Sequence, residues 1–344
     1  MYKKIFMGIA AVAALTLVSC SSDDLNSLSD NSSKNEAISF DGYLGRSAVA
    51  VNGSRGSELT KDALQKSDDG FGVFGNYSSE GNTTAYGKNW FDNEQVTYKT
   101  SAWTYDPLKY WLPKGHIDFL AYAPYDSQYD NQQITKDNQK LDFTVNSTIT
   151  AQKDLLWANA TNKTKADKTV TFTFNHALAK IGYSVKTNVV GTGGTTITLN
   201  KITLAGSDTE PATGAFYEKG TIDLSKKNNA AELWTNFEGK QYFTWFTENQ
   251  LLTGSFVPNS NYLFVIPQDF STGTDKLYVI VDYTINYNTG KAETMTNKVS
   301  QQLPYNFKQG KAYMIKLTIG LTPIQFDAEV AEWGTSEDKD ITWE

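Results

Sequence analysis

Apolar and polar residues alternate over several stretches of the chain, and this spacing predicts β-strands whose two faces meet different surroundings. The longest such stretch covers residues 277–287, and a shorter one covers residues 313–319. Residues 170–174 and 181–185 alternate in the same way. Gly, Asn and Ser residues separate these stretches, and only a weakly specified helix is predicted, at residues 58–65. Strands without intervening helices favour an all-β protein built from antiparallel sandwiches.

A first strand is predicted at residues 37–44, where Ile38 and Phe40 share one face. The loose segment that follows contains Arg46 and Arg55, the only two arginines in the chain. An arginine-specific protease would therefore cut the chain only in this window. Arg55 is the favoured point because it lies in a flexible Asn-Gly-Ser-Arg-Gly sequence, whereas Arg46 directly follows the strand. A chance cluster in a lysine-biased chain is the alternative explanation.

The N-terminus has the pattern of a bacterial lipoprotein signal. Lys3 and Lys4 precede an apolar run that ends at Ser19 and Cys20. The run is too short for a retained spanning helix, which predicts that residues 1–19 are a signal peptide and that Cys20, the only cysteine, carries the lipid. An ordinary secretory signal is the alternative. Residues 20–36 are rich in Ser, Asp and Asn and predict a flexible tether.

Length and charge limit the remaining classes of protein. Removal of Lys3 and Lys4 with the signal changes the formal net charge from −7 to −9, because two positive charges are lost. With acidic and basic residues interspersed, nucleic acid is not expected as a partner. A mature chain of this length predicts two domains, at residues 37–160 and 161–344, separated at a polar linker. One long sandwich is the alternative.

Catalytic and metal-binding motifs are not evident. His116 and His176 lie in no triad or ligand pattern, and His176 is interpreted as a structural residue at a turn. The sequence therefore predicts no catalytic residue, metal or cofactor. A glycosidase stays open, since that chemistry needs only a carboxylate pair brought together by the fold, with Asp106 and Asp118 as the candidates.

Aromatic residues in one block allow two interpretations. Trp103 and Trp111, with Tyr105 and Tyr110 beside them, would form a platform for sugar rings if they were exposed. Packing in the core is the favoured alternative, since large aromatic side chains bury much apolar area in a sandwich.

The order of several motifs along the chain is more informative than any one of them. After the lipoprotein signal come AISFDGYLGRS, FGVFGNY, WTYDPLKYWLPKGHIDFLAYAP, DLLWA, TVTFTFNHALAKIGYSV and FDAEVAEWG. This series resembles the fimbrillin family, the subunits of type V pili and related surface lipoproteins.

The resemblance implies two transthyretin-like antiparallel β-sandwich domains in tandem, exported as a lipoprotein to the outer membrane and the cell surface. It also implies assembly into fimbriae: an arginine-specific protease removes the first strand, and a strand of a neighbouring pilin subunit fills the groove. Physically this is strand addition, in which main-chain hydrogen bonds satisfy an exposed edge and alternate side chains fill pockets. The resemblance further implies adhesion, with surface glycans or proteins as the partners.

Residues 322–344 are the candidate donor strand in this scheme, because Ile324, Phe326, Ala328 and Val330 alternate there. The alternative is that this tail completes its own domain. The resulting hypothesis is a non-enzymatic fimbrial subunit without a cofactor. Two other functions stay open: a non-polymerising tip or anchor protein of the same fold, and a glycan-binding outer-membrane lipoprotein.

Overall fold

Strands form most of the part of the chain that the computed structural model describes. The described residues are 36–44, 59–79, 90–132, 134, 138–189, 193–209, 211–227, 232–259, 261–288, 292–321 and 325–332. The predicted signal peptide, Cys20, Arg46, Arg55 and Ile324 lie outside them. Within these ranges no helix is both long enough and apolar enough to cross a membrane.

The strands of these ranges follow one another along the chain with few helices between them. In chain order they are β1 (Ser39–Leu44), β2 (Phe71–Ser78), β3 (Phe91–Lys99), β4 (Ala102–Thr104), β5 (His116–Ala123), β6 (Lys140–Thr144), β7 (Leu156–Lys163), β8 (Thr169–His176), β9 (Ala179–Thr187), β10 (Thr196–Ala205), β11 (Phe216–Asp223), β12 (Trp234–Gln241), β13 (Phe243–Phe246), β14 (Gln250–Leu251), β15 (Val257–Pro258), β16 (Leu263–Val265), β17 (Gln268–Asp269), β18 (Tyr278–Asn288), β19 (Ala292–Gln302), β20 (Asn306–Phe307), β21 (Lys311–Ile319) and β22 (Gln325–Glu332). The prediction of an all-β protein is confirmed.

Helices in the described residues are short. Helix α1 (Lys61–Lys66) begins after Thr60, whose side chain accepts a hydrogen bond from the Ala63 amide at 3.1 Å. Such a cap satisfies one of the free amides of the first turn. Three single-turn 3₁₀ helices lie at Ser127–Tyr129, Ile149–Ala151 and Lys165–Asp167.

The first sheet has seven strands in the order β1-β8-β7-β5-β2-β3-β4. The other sheets have the orders β13-β10-β18-β19, β12-β11-β6, β15-β9-β21-β22 and β17-β20, with β14 paired to β10 and β16 to β9. Neighbours pair antiparallel in this part of the chain, except that β1 runs parallel to β8 and β21 runs parallel to β9. Strands β1 and β4 stand at opposite ends of the first sheet and yet contact each other. The sheet therefore curls until its two ends meet.

Two hydrophobic cores lie on opposite faces of this curled sheet. Ile117, Phe119 and Ala121 of β5 point into the first core, whereas Leu120 and Tyr122 of the same strand point into the second. Because both of its faces are buried, β5 is an almost continuous apolar run rather than an alternating one. The described residues, from Glu36 onwards, group as one compact unit. The expected boundary between residues 160 and 161 falls inside β7, and the two-domain, transthyretin-like division stays a prediction.

A buried polar pair fastens the end of β8. His176 Nδ1 lies 2.8 Å from Asp154 Oδ2, and the same oxygen accepts a hydrogen bond from the Leu59 amide at 3.1 Å. Asp154 has no exposed surface, so its carboxylate depends on these partners for the interactions that water would otherwise supply. The pair joins three separate segments of the chain at a turn, which agrees with a structural role for His176.

Replacement of Asp154 by alanine is expected to lower the free energy of unfolding by about 1–3 kcal/mol, because the His176 ring and the Leu59 amide lose a buried acceptor. Urea unfolding of purified protein measures the change. The matched control is Glu232→Gln, whose side chain is 80% exposed beside Lys226 and whose loss should cost less than about 0.5 kcal/mol. Equal effects of the two substitutions would contradict the structural role of the pair.

Candidate functional site

Strand β1 closes the first core with alternate side chains. Ile38, directly before the strand, is 1% exposed and Phe40 is 4% exposed, and Gly42 is also buried, whereas Ser39 and Asp41 between them face solvent. The expectation that Ile38 and Phe40 share one face is therefore confirmed, and the structure shows that this face is the buried one. On one side the strand pairs with β8, the strand that begins at Thr169.

Phe40 occupies the centre of an aromatic cluster. Its ring centroid lies 5.4–6.5 Å from five other rings: Phe71, Phe91, Tyr105, Phe119 and Phe172. Three of these contacts are edge-to-face, the arrangement that the quadrupoles of aromatic rings favour. The rings come from β2, β3, β5, β8 and the segment after β4, so a single side chain of β1 joins most of the first sheet.

The segment between β4 and β5 fastens β1 on its other side. The Ile38 amide donates to the Lys109 carbonyl at 2.8 Å, and the Trp111 amide donates to the Glu36 carbonyl at 3.0 Å. The Tyr105 hydroxyl donates to the Ile38 carbonyl at 2.8 Å. Burial raises the pKa of Tyr105 to about 12, partly opposed by its hydrogen bond with Lys109. The hydroxyl therefore keeps its proton, and can donate, further into the alkaline range than that of an ordinary tyrosine. These contacts were not predicted, because the sequence shows no signal that pairs residues 105–111 with the N-terminus.

Strand β1 therefore lies in a groove between the edge of β8 and residues 105–111. Its position at the end of the sheet means that its removal would leave unpaired the main-chain groups of β8 that face it, between Thr169 and Phe174. The aromatic cluster beneath it would be uncovered at the same time. An open edge above apolar pockets is the kind of surface to which another extended strand adds.

The two tryptophans considered for glycan contact are buried in the first core. Trp103 is 8% exposed and packs its ring 4.9 Å from that of Phe71, and Trp111 is 5% exposed with its ring 6.2 Å from that of Phe119. Neither ring presents a face on which a sugar would stack. Their burial agrees with core packing, the interpretation favoured from the sequence, since large aromatic side chains bury much apolar area in a sandwich.

The candidate donor tail occupies an edge of another sheet. Strand β22 pairs antiparallel with β21, so that Ala328 lies opposite Ile315 and Val330 lies opposite Tyr313. Phe326 belongs to the same strand, and the Val330 side chain is 50% exposed. In the monomer this segment thus extends its own sheet, and β21 is its one strand neighbour among the described residues.

The described residues contain no group of three or more His, Cys, Asp or Glu side chains arranged to hold a metal ion. Asp118, one of the carboxylates considered for glycoside chemistry, accepts a hydrogen bond from the Asn162 amide and is 9% exposed. His116 Nε2 lies 4.0 Å from its other oxygen. The environment of Asp118 is that of a residue fixing the irregular pairing between β5 and β7.

Solved structures with this fold come from species of Bacteroides. A fimbrial protein from Bacteroides vulgatus aligns with a TM-score of 0.65 and 21% identity over 87% of this chain and 100% of that chain. A candidate cell adhesion protein from Bacteroides ovatus aligns with a TM-score of 0.53 and 17% identity over 88% of this chain and 99% of that one. At these identities the likeness concerns the fold.

Among curated proteins, none matches the chain. The family model described as fimbrillin-like matches residues 59–333, which is most of the chain. The chain therefore belongs to the fimbrillin-like family.

Proposed function

We propose that this protein is a subunit of a bacterial fimbria that matures by loss of β1 and polymerises by strand exchange. One observation carries the proposal: β1 supplies the central side chain of the first core, yet it lies at the end of its sheet and leads directly into the segment with the only two arginines of the chain. A cut after Arg55 or Arg46 would separate β1 from the rest of the chain without cutting any other described strand.

The groove that β1 would leave behind provides the reason for strand exchange. Loss of β1 would expose the unpaired edge of β8 and the pockets of Ile38 and Phe40, both costly to leave in water. An extended segment from another subunit would satisfy the edge and refill the pockets. The tail that contains Ile324, Phe326, Ala328 and Val330 is the proposed donor, and β22 can leave an edge without separating two other strands.

Family membership supports the coarser parts of this function, namely a fimbrial subunit at the cell surface that associates with other pilin subunits. The finer parts belong to the proposal. They are lipidation of Cys20, anchoring in the outer membrane and maturation by an arginine-specific protease. Adhesion to surface glycans or host proteins is proposed for the assembled fimbria.

Treatment of the chain that has lost its signal peptide but still carries β1 with an arginine-specific protease is expected to yield a new N-terminus at Gly56 or Ser47. Ladders of polymers that resist SDS are expected to follow. Intact-mass spectrometry and gel electrophoresis measure the two results together. Arg46→Lys and Arg55→Lys, each preserving the positive charge, identify the productive cut, and the double variant should stay monomeric.

Polymers formed by the uncut double variant would contradict protease-triggered exchange. A cut chain that stays monomeric after its N-terminal fragment has left would contradict polymerisation itself. It would favour the tip or anchor alternative.

Phe40→Ala is expected to lower the free energy of unfolding of the uncut chain by about 3–5 kcal/mol, because a cavity opens among five rings. After cleavage, the fragment that carries β1 should leave the groove faster than the unchanged fragment, as measured by gel filtration over time. Asp41→Ala on the exposed face is the matched control, with an expected cost below about 0.5 kcal/mol. Similar release rates for the two variants would show that Phe40 does not hold the strand.

A further inference from the structure

Two edge strands of this chain carry the same spacing of side chains. Residues 38–44 read ISFDGYL and residues 324–330 read IQFDAEV. Ile, Phe and Asp recur at the same places, a small residue follows the Asp, and a branched aliphatic residue closes both segments. The first segment lies in the groove described above, and the second lies mostly in β22.

We infer that residues 324–330 of a second copy of this chain enter the groove in the same direction and register as residues 38–44. This inference rests on the proposed strand exchange and specifies its geometry. Ile324 takes the place of Ile38, Phe326 that of Phe40, Ala328 that of Gly42 and Val330 that of Leu44. The donor consequently runs parallel to β8, as β1 does.

The position of Gly42 decides the register. A methyl group built on Gly42 would lie 3.5 Å from side-chain atoms of Phe174, Phe71 and Trp103, which is ordinary van der Waals contact. Alanine therefore fits without displacing a neighbour. A longer side chain has three aromatic rings in its path and would force them to move.

Other arrangements of the donor fail either at the Gly42 position or in the Phe40 pocket. A shift by two residues puts either Phe326 or Val330 at the Gly42 position, and the unshifted reversed direction puts Phe326 there. A reversed donor that puts Ala328 there brings Val330 instead of a ring to the Phe40 pocket. A shift by one residue turns every apolar side chain to solvent. The parallel, unshifted arrangement alone puts a small residue against the three rings and an aromatic ring in the Phe40 pocket.

The outward positions agree with this arrangement. Ser39 and Asp41 are exposed, and the donor has Gln325 and Asp327 at the corresponding places. Strand β5 shows similar inward spacing at Ile117, Phe119 and Ala121, but it lies between β7 and β2 in the middle of the sheet and is buried on both faces. It cannot leave without dividing the sheet, whereas β22 is an edge strand.

A disulfide between copies tests the register directly. The Ser39 hydroxyl lies 2.8 Å from that of Thr169, so a donor in this register brings Gln325 beside Thr169. Polymers of the double variant Gln325→Cys with Thr169→Cys, formed after arginine-specific cleavage has removed Cys20, are expected to form links between copies under mild oxidation. The matched control pairs Gln325→Cys with Thr171→Cys, which lies opposite Asp41 and should link at least about tenfold less.

Preferential linkage through Thr171, or polymers without either link, would overturn the inferred register while leaving strand exchange intact. Complete absence of polymers would instead refute the proposed function. A second experiment, which needs no polymer, then tests whether the donor sequence fits the groove.

The second experiment grafts the donor sequence onto β1 of the uncut chain by Ser39→Gln, Gly42→Ala, Tyr43→Glu and Leu44→Val. Its melting temperature is expected within about 3 °C of the unchanged protein, because the small residue fits its pocket. The matched graft with Gly42→Val in place of Gly42→Ala should melt at least about 4 °C lower than the alanine graft. Equal melting temperatures of the two grafts, or failure of the alanine graft to fold, would overturn the inference.

Discussion

The aromatic cluster around Phe40 is the contact on which the first core depends. Rings from strands far apart in the sequence meet only because the sheet curls, and β1 occupies the place where its two ends approach. Without an extended segment there, the curled sheet has an open seam above apolar side chains. The fold thus requires a strand at this place, but its hydrogen bonds do not require that the strand belong to the same chain.

The two sides of β1 make different demands on its sequence. Pairing with β8 and with residues 105–111 uses main-chain groups, which any residue except proline offers. At the inward positions, the size of the side chain decides which residue fits: a ring fits at Phe40, and no more than a methyl group fits at Gly42. Affinity for an incoming strand would come largely from the backbone and burial, and its selectivity from these two positions.

The sheet that holds β1 is packed on both faces, and this limits what loss of the strand can disturb. Leu120 and Tyr122 of β5 lie in the second core, together with Phe74 of β2 and Trp157 of β7. These contacts do not involve β1. Most of the pairing of the central strands is likewise independent of it, so an opened groove would keep a rigid floor and one defined edge.

The alternation of apolar residues was enough to predict several of the strands, including that Ile38 and Phe40 share one face, because the pleat of a strand directs successive side chains to opposite faces. The weak helix was found at nearly the right place, and the arginine window is a property of the sequence itself. Only the tertiary structure decided that β1 lies parallel to β8, that Tyr105 and Lys109 fasten it, and that Trp103 and Trp111 are buried. Alternation reveals that one face of a strand is covered, but the covering residues come from distant parts of the chain, and their identity depends on how the whole sheet curls.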